Sequence, residues 1–181
     1  DGLLYAFELH ADQVRKGSET PYIAHLLSVC ALVIENGGDE DQAIAALLHD
    51  AVEDQGGMAT LDVIRQRFGK HVAQIVAGCT DAYTTPKPPW RARKDTYLAE
   101  LRSAGFDVQL VSLADKLHNA RSLLLDFQQF GPAVWDRFNG GKEGSLWYYR
   151  ALADYFTGSP YRGLAGELER VVAEIERLAN A

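Results

Sequence analysis

A short segment at residues 47–54, Leu-Leu-His-Asp-Ala-Val-Glu-Asp, places four polar side chains in an apolar, helix-forming stretch. With about 3.6 residues per helical turn, His49 lies one turn from Glu53, and Asp50 lies one turn from Asp54. Clustered carboxylates are costly to bury without a counter-ion, and imidazole and carboxylate are good ligands for a divalent cation. The segment therefore indicates a metal site, although an isolated His-Asp pair is more often a surface or helix-end pair.

Two further polar residues lie within apolar helical runs elsewhere in the chain. His25 lies in Pro-Tyr-Ile-Ala-His-Leu-Leu, and Asp115 lies in Val-Ser-Leu-Ala-Asp-Lys-Leu-His-Asn. Together with the His-Asp pair, they supply two imidazoles and two carboxylates from three helices. Four protein ligands leave room for water on an ion that accepts about five or six, as hydrolytic metal sites require. We therefore expect His25, His49, Asp50 and Asp115 to bind one divalent metal ion.

Glu53 and Asp54 are the candidate catalytic residues for metal-assisted hydrolysis of a phosphoric ester. Glu53 could orient or deprotonate the attacking water, and Asp54 could do the same or protonate the leaving group. The alternative is that the pair forms a solvated helix end. Carboxylates at a helix C-terminus oppose the helix dipole, so their presence there favours a functional role.

The candidate ligands belong to a longer, ordered set of motifs. Arg15-Lys16 precedes Pro-Tyr-Ile-Ala-His at 21–25, Glu-Asp follows the His-Asp pair, and residues 113–119 read Leu-Ala-Asp-Lys-Leu-His-Asn. This combination resembles the HD superfamily and, more narrowly, the hydrolase domain of RelA/SpoT homologues in its small alarmone hydrolase form. The resemblance covers roughly residues 5–156 and is more specific than any one of the motifs.

The resemblance implies an enzyme that removes the 3′-pyrophosphate from guanosine tetra- and pentaphosphate, with manganese as the metal. The ligand types alone do not choose manganese over iron, zinc, cobalt or magnesium. The resemblance also implies that Arg15 packs on the nucleobase and that Lys16 lies nearer the phosphates. Two alternatives stay open: hydrolysis of another nucleotide, such as a nucleoside monophosphate or NADPH, and alarmone binding without turnover.

Other polar residues near the motifs are candidate substrate contacts. Asn119 lies on the same helical face as the candidate ligand four residues before it and could bind ribose or phosphate. Ser122 lies where the related hydrolases use a hydroxyl residue near the sugar. Arg93 and Lys94 could contact a pyrophosphate, although a solvated helix face explains them almost as well. His118 could support a ligand, but a lone helical histidine is more often a core residue.

Composition limits the class of protein and of partner. The chain has 181 residues, of which 47% are hydrophobic and 24% charged, as in ordinary soluble domains. A net charge of −7 argues against nucleic-acid binding and leaves a small-molecule nucleotide as the expected partner. No run approaches the roughly 18 apolar residues of a membrane span. Cys30 and Cys79 fit reduced core residues of a cytoplasmic protein, and a homo-oligomer stays compatible with the sequence.

The convincing segments all have a helical period, which predicts an all-α, single-domain helical bundle of the HD type. We expect one domain over 1–181, with a motif-bearing core at about 5–156 and a C-terminal helix within 157–181. Thr20 and Asp39 are predicted helix caps, and the glycine-rich stretch 139–144 is predicted to be a flexible connector. The predicted helices are 3–14, 21–36, 39–54, 60–68, 70–80, 90–104, 107–130, 132–137, 145–156 and 164–179.

Overall fold

The computed structural model describes residues 1–83 and 86–181. The three prolines of the stretch 84–89 predict a loop, and the first two residues of that stretch, 84 and 85, lie outside the described residues. Within the described ranges the chain forms nine α-helices and one 3₁₀ helix, η1. These are α1 (Gly2–Leu9), α2 (Ile23–Glu35), α3 (Glu40–Leu48), α4 (Ala51–Asp54), α5 (Met58–Cys79), α6 (Trp90–Leu101), α7 (Phe106–Phe130), η1 (Gly131–Arg137), α8 (Gly141–Phe156) and α9 (Arg162–Ala179).

The predicted all-α fold class is confirmed. The described ranges contain no β-strand, and their single isolated bridge joins Val14 to Pro21. Of the helices described, none combines the length and the apolar character needed to cross a membrane.

Helix α7 runs through the centre of the bundle and packs against α2, α3, α5, α8, α9 and η1. Its fully buried leucines, Leu110, Leu113 and Leu117, recur at the spacing of one helical face, which explains why this face is covered by other helices. Asp115 is buried on the same helix. The central helix thus carries a carboxylate into the interior, where an unpaired charge would be costly.

The single helix predicted for 39–54 is wrong, because the chain breaks it in two. Asp39 caps α3 as predicted, in a capping box with Gln42 in which each side chain accepts from the other's backbone N–H. Helix α3 then ends at Leu48, and α4 begins only at Ala51. The interruption falls on residues 49 and 50, so the His-Asp pair lies at a bend between two helices.

The prediction that Thr20 caps the second helix is also wrong. The backbone N–H of Arg15 donates to the carbonyl of Thr20, and that of Tyr22 donates to the carbonyl of Gln13. These bonds close a turn before α2, which begins at Ile23. The turn holds Arg15 against the start of the helix that carries His25.

Glycines mark two further helix boundaries, one that agrees with the prediction and one that does not. Helix α5 kinks sharply at Gly69, where the backbone has φ 91° and ψ 170° and is not helical. Glycine tolerates this left-handed region because it has no Cβ, so the predicted break at this position is present as a kink. The connector predicted at 139–144 is shorter than expected, since α8 begins at Gly141.

Candidate metal centre and adjoining cavity

Three helical segments bring His25, His49 and Asp115 together in the interior. Helix α2 supplies His25, the bend between α3 and α4 supplies His49, and α7 supplies Asp115. One ligand atom from each residue lies within 4.8 Å of the others, and all three residues are buried. The Nε2 atoms of the two imidazoles are 3.3 Å apart. Asp115 Oδ1 is 3.2 Å from Nε2 of His25 and 3.5 Å from Nε2 of His49.

Asp50 adds a second carboxylate beside this group. Its Oδ2 atom is 3.0 Å from Nε2 of His49 and 3.5 Å from Nε2 of His25. Two ligands about 2.1 Å from one ion, at roughly right or tetrahedral angles, lie about 3.0–3.4 Å apart. The separations around the imidazole pair fit such a site, and the donor set of two nitrogens and two oxygens suits a divalent cation.

The outer nitrogens of both imidazoles have hydrogen-bond partners. His49 Nδ1 is 2.8 Å from the carbonyl oxygen of Ala46, which can only accept, so this nitrogen carries a proton and Nε2 is the nitrogen available to a metal. His25 Nδ1 is 2.8 Å from Nδ1 of His118. Burial and the nearby His25 and Arg15 lower the pKa of His118 to about 4, so its ring is neutral near pH 7.

Hydrogen-bond donors surround the two carboxylates. The Lys116 ammonium and the Asn119 amide both donate to Asp115, and the Tyr22 hydroxyl donates to Asp50 Oδ2 at 2.6 Å. Burial alone would raise the pKa of Asp115, but Lys116 and the neighbouring imidazoles hold it well below its usual range. The pKa of Asp50 is likewise lowered by the imidazoles despite burial. Both groups are therefore ionised, as metal ligands must be.

A cavity of 1070 Å³ opens beside the cluster, with His25 in its wall. Ligand cavities typically measure about 300–1,000 Å³, so this one has room for a nucleotide. Although the whole chain carries a charge of −7, the wall gathers cationic side chains. They are Arg15, Lys16, Lys94 and Lys116.

A sequence profile of the family described as HD domain matches residues 3–144, most of the chain. The chain belongs to the HD domain family. The predicted resemblance to RelA/SpoT-homologue hydrolases is also confirmed. A Xenopus tropicalis relative, guanosine-3′,5′-bis(diphosphate) 3′-pyrophosphohydrolase MESH1, is 42% identical over 122 residues. That alignment covers 66% of this chain and 65% of the relative. The bifunctional (p)ppGpp synthase/hydrolase SpoT of Escherichia coli K12 is 35% identical over 126 residues, covering 66% of this chain and 17% of SpoT.

Solved structures extend the similarity beyond these alignments. The HD domain superposes on lmo0812 from Listeria monocytogenes EGD-e with a TM-score of 0.75 and 30% identity, covering 84% of this chain and 99% of that one. A metazoan ortholog of SpoT, described as hydrolysing ppGpp, gives a TM-score of 0.73 and 29% identity. That match covers 97% of this chain and 92% of the ortholog.

The two candidate catalytic residues of this HD domain lie in different surroundings. Asp54 lines the cavity, and its Oδ2 accepts a 2.9 Å hydrogen bond from the Gln13 amide. Glu53 is not one of the described residues that line the cavity. Its carboxylate instead accepts a 2.7 Å bond from Lys87. Burial and the nearby Asp81 raise the pKa of Glu53, although Lys87 opposes the shift.

Five of the six predicted substrate contacts line the same cavity of the HD domain. Arg15 donates a 2.7 Å hydrogen bond to the carbonyl oxygen of Asn119, whose amide in turn donates to Asp115. The residue predicted to hold the base is therefore linked through one side chain to a candidate ligand. Ser122 donates to the carbonyl of His118 at 3.0 Å, and its residue also faces the cavity. The five residues are Arg15, Lys16, Lys94, Asn119 and Ser122.

Arg93 and Lys94 are not on a solvated helix face, so that alternative for them is wrong. Their side chains are only 9% and 17% exposed, and both pair with the buried carboxylate of Asp81. Lys94 lines the cavity, whereas Arg93 lies within 3.8 Å of Glu53. Both cations therefore pair with Asp81 close to Glu53, and of the two only Lys94 lines the cavity.

Sequence reasoning missed several residues that support the HD domain's site. Tyr22 and Lys116 lie inside the motifs at 21–25 and 113–119. Their contacts with the carboxylates could have been proposed because each is close in sequence to a candidate ligand. Asp81 and Lys87 carried no such signal, because they stand outside the motifs and their partners are 12 to 34 residues away.

Proposed function

We propose that this chain is a metal-dependent phosphohydrolase that removes the 3′-pyrophosphate from guanosine 3′,5′-bis(diphosphate) and the corresponding pentaphosphate. The observation that carries the proposal is the meeting of two imidazoles and two carboxylates at a large cavity whose wall is cationic. Relatives whose names state this activity support the choice of substrate. The aligned segment spans 65% of the length of the MESH1 relatives, so we extend their activity to this chain as a proposal.

In this proposal His25 and His49 hold the cation through Nε2, and Asp50 and Asp115 hold it through carboxylate oxygens. A bound divalent cation supplies a water of lowered pKa and polarises a phosphoryl oxygen of the substrate. We propose manganese as the resident ion. The two negative charges of the carboxylates balance the two positive charges of the dication.

Asp54 lies in the cavity wall, where it can take the proton of the attacking water or give one to the leaving oxygen. Glu53 lies behind it, held by Lys87, with a pKa raised by burial. We assign Asp54 to the reacting atoms and Glu53 to the orientation of the attacking water.

The substrate carries two diphosphate groups, and the cationic wall matches that charge. Lys16, Lys94 and Lys116 provide ammonium groups, which bind phosphate as point charges. We assign the planar Arg15 guanidinium to the guanine ring. Asn119 and Ser122 contribute polar groups between these ends, so the sugar is proposed to lie against α7.

The assigned location is the cytoplasm. Both cysteines of the chain, Cys30 and Cys79, are free, and Cys79 is buried. Free thiols are common in reducing compartments, where disulfides are rare.

A metal-reconstituted assay tests the proposal. The metal-free protein is loaded in turn with Mn²⁺, Fe²⁺, Zn²⁺ and Mg²⁺ and offered guanosine tetraphosphate, a nucleoside monophosphate and NADPH. We expect pyrophosphate and GDP from the tetraphosphate, with the highest turnover in Mn²⁺. Orthophosphate release, or preference for another nucleotide, would reject the substrate. Tight binding of the tetraphosphate without turnover would point to a binding module.

Variants of two aspartates complete the test. Asp115→Ala removes one charged ligand, so metal retention should fall and nearly all turnover should be lost. Asp62→Ala is the matched control, because Asp62 is 58% exposed on α5 and, within the described residues, its ion pair is with Arg65 in its own helix. It should keep both metal and activity.

A further inference from the structure

His118 lies against the back of the candidate metal centre. Its Nδ1 is 2.8 Å from Nδ1 of His25, while Nε2 of His25 points to the two carboxylates. The two rings are tilted by 46° with centroids 4.8 Å apart, so they meet through their nitrogens and not by stacking. We propose that His118 is a positioning residue. Its Nδ1 accepts a hydrogen bond from the Nδ1–H of His25, which leaves the lone pair of His25 Nε2 facing the metal. The inference rests on the metal site of the proposed function.

The hydrogen bond between two ring nitrogens needs one proton, which leaves two arrangements. If His118 is the donor, His25 carries its proton on Nε2, and that proton faces Asp115 Oδ1 and blocks ligation. If His25 is the donor, its Nε2 is bare and can bind a cation. Only the second arrangement is compatible with His25 as a ligand. Metal binding therefore fixes His118 as the acceptor.

The two imidazoles of the centre are oriented by different means. His49 donates to the carbonyl of Ala46, a main-chain group that no substitution removes. His25 depends on a side chain, and that side chain lies on α7 three residues after Asp115, on the same helical face. Helix α7 thus supplies one ligand directly and orients another. Losing the acceptor should weaken the site through His25 alone.

The first test measures metal affinity without any nucleotide. His118→Phe removes the acceptor and keeps a ring, whereas His118→Gln keeps an acceptor oxygen. We expect the dissociation constant for Mn²⁺, from chelator competition, to rise about 10- to 100-fold in His118→Phe. His118→Gln should recover most of that loss. His71→Phe is the control, because His71 is exposed and bonds Asp41 and Asp107; it should bind Mn²⁺ as the unaltered chain does.

Two results of that test would overturn the inference. One is a His118→Phe protein that binds Mn²⁺ with unchanged affinity. The other is an equal loss in His118→Phe and His118→Gln, which would mean that ring packing and not proton acceptance is responsible.

The second test needs no variant, so it holds even if a substitution prevents folding. Nitrogen-15 NMR of histidine side chains in the Zn²⁺-loaded protein should show the His25 proton on Nδ1 and an unprotonated Nδ1 on His118. A proton on Nε2 of His25, or on Nδ1 of His118, would disprove the inference. Neither test uses a nucleotide. If the proposed substrate were wrong, these results would not change. A wrong substrate assignment can therefore be distinguished from a wrong role for His118.

Discussion

The Tyr22 hydroxyl donates a 2.6 Å hydrogen bond to Oδ2 of Asp50, the same oxygen that lies 3.0 Å from Nε2 of His49. Burial and the Asp50 charge raise the pKa of Tyr22 above its usual value, so the hydroxyl stays protonated and remains a donor. Asp50 is the more exposed of the two carboxylates, with 22% of its side chain accessible. Tyr22 therefore restrains the ligand that has the greater freedom to turn away.

Replacing Tyr22 by Phe should weaken metal binding while the fold is kept. The ring still packs, but the donor to Asp50 is lost, and outer-sphere losses of this kind cost about 10- to 100-fold in affinity. Chelator competition with Mn²⁺ measures the change. Tyr155→Phe is the control, because Tyr155 bonds the carbonyl of Leu101 in another part of the bundle. Equal Mn²⁺ affinity in the two variants would show that Tyr22 does not restrain Asp50.

Substitution of the acidic pair should separate proton transfer from metal binding. Asp54→Asn and Glu53→Gln keep shape but remove the basic oxygen, and we expect kcat to fall about 10²- to 10⁴-fold with the metal content unchanged. Metal analysis and turnover on the same samples provide the measurement. Glu8→Gln changes an exposed acid of α1 and should leave kcat unaltered. A parallel loss of metal and activity would instead make the pair part of the metal centre.

A methyl group at Gly140 should disturb the cavity wall. A Cβ there would lie 2.7 Å from the Trp90 ring, which lines the cavity and packs edge-on against Trp147. Overpacking of this kind costs about 1–3 kcal/mol, so Gly140→Ala should lower the melting temperature by at least about 2 °C. At Gly158 a Cβ would meet nothing within 4 Å. Gly158→Ala should melt with the parent protein, and equal melting of both variants would contradict the steric argument.

His71 should make stability depend on pH. It bonds Asp41 and Asp107, and these carboxylates raise the pKa of the imidazole above its usual value. A raised folded pKa means that the stabilisation is fully present below the unfolded pKa of about 6.5 and disappears as the pH rises through the folded value. Because the groups are exposed, the effect is at most about 1 kcal/mol.

Thermal unfolding of the parent and of His71→Gln between pH 5.5 and pH 9 checks this sign. The melting temperature of the parent should exceed that of the variant most at pH 5.5, and the difference should vanish near pH 9. A difference that does not change with pH would show that the imidazolium charge is not involved.

The sequence allowed the fold class and the four candidate ligands to be predicted, because each shows as a local pattern. Helical periodicity marks the buried faces, and a charged residue such as Asp115 inside an apolar run has few explanations other than a site. The bend at residues 49 and 50 was not predicted. The segment contains neither Gly nor Pro, and its weak helix formers, such as His49 and Asp50, do not by themselves end a helix, so the interruption depends on packing that propensity does not include.

The surroundings of Glu53 were also beyond prediction. Its partners Lys87 and Asp81 are about thirty residues away in the chain, and their approach depends on how α4, α5 and α6 pack. The same applies to Arg93 and Lys94, whose charges suggested an open surface although both are largely buried against Asp81. Charge alone therefore did not distinguish a solvated helix face from a buried ion-pair network.

Ligands drawn from α2, the α3–α4 bend and α7 would make the ion a cross-link between segments that are up to ninety residues apart in sequence. Such a cross-link exists only in the folded chain, so free metal at about a hundred times its dissociation constant adds about 2.7 kcal/mol to stability. When the ion is scarce, the protein would then lose activity and would also unfold and be proteolysed more readily. The supply of metal would thus set the amount of folded protein.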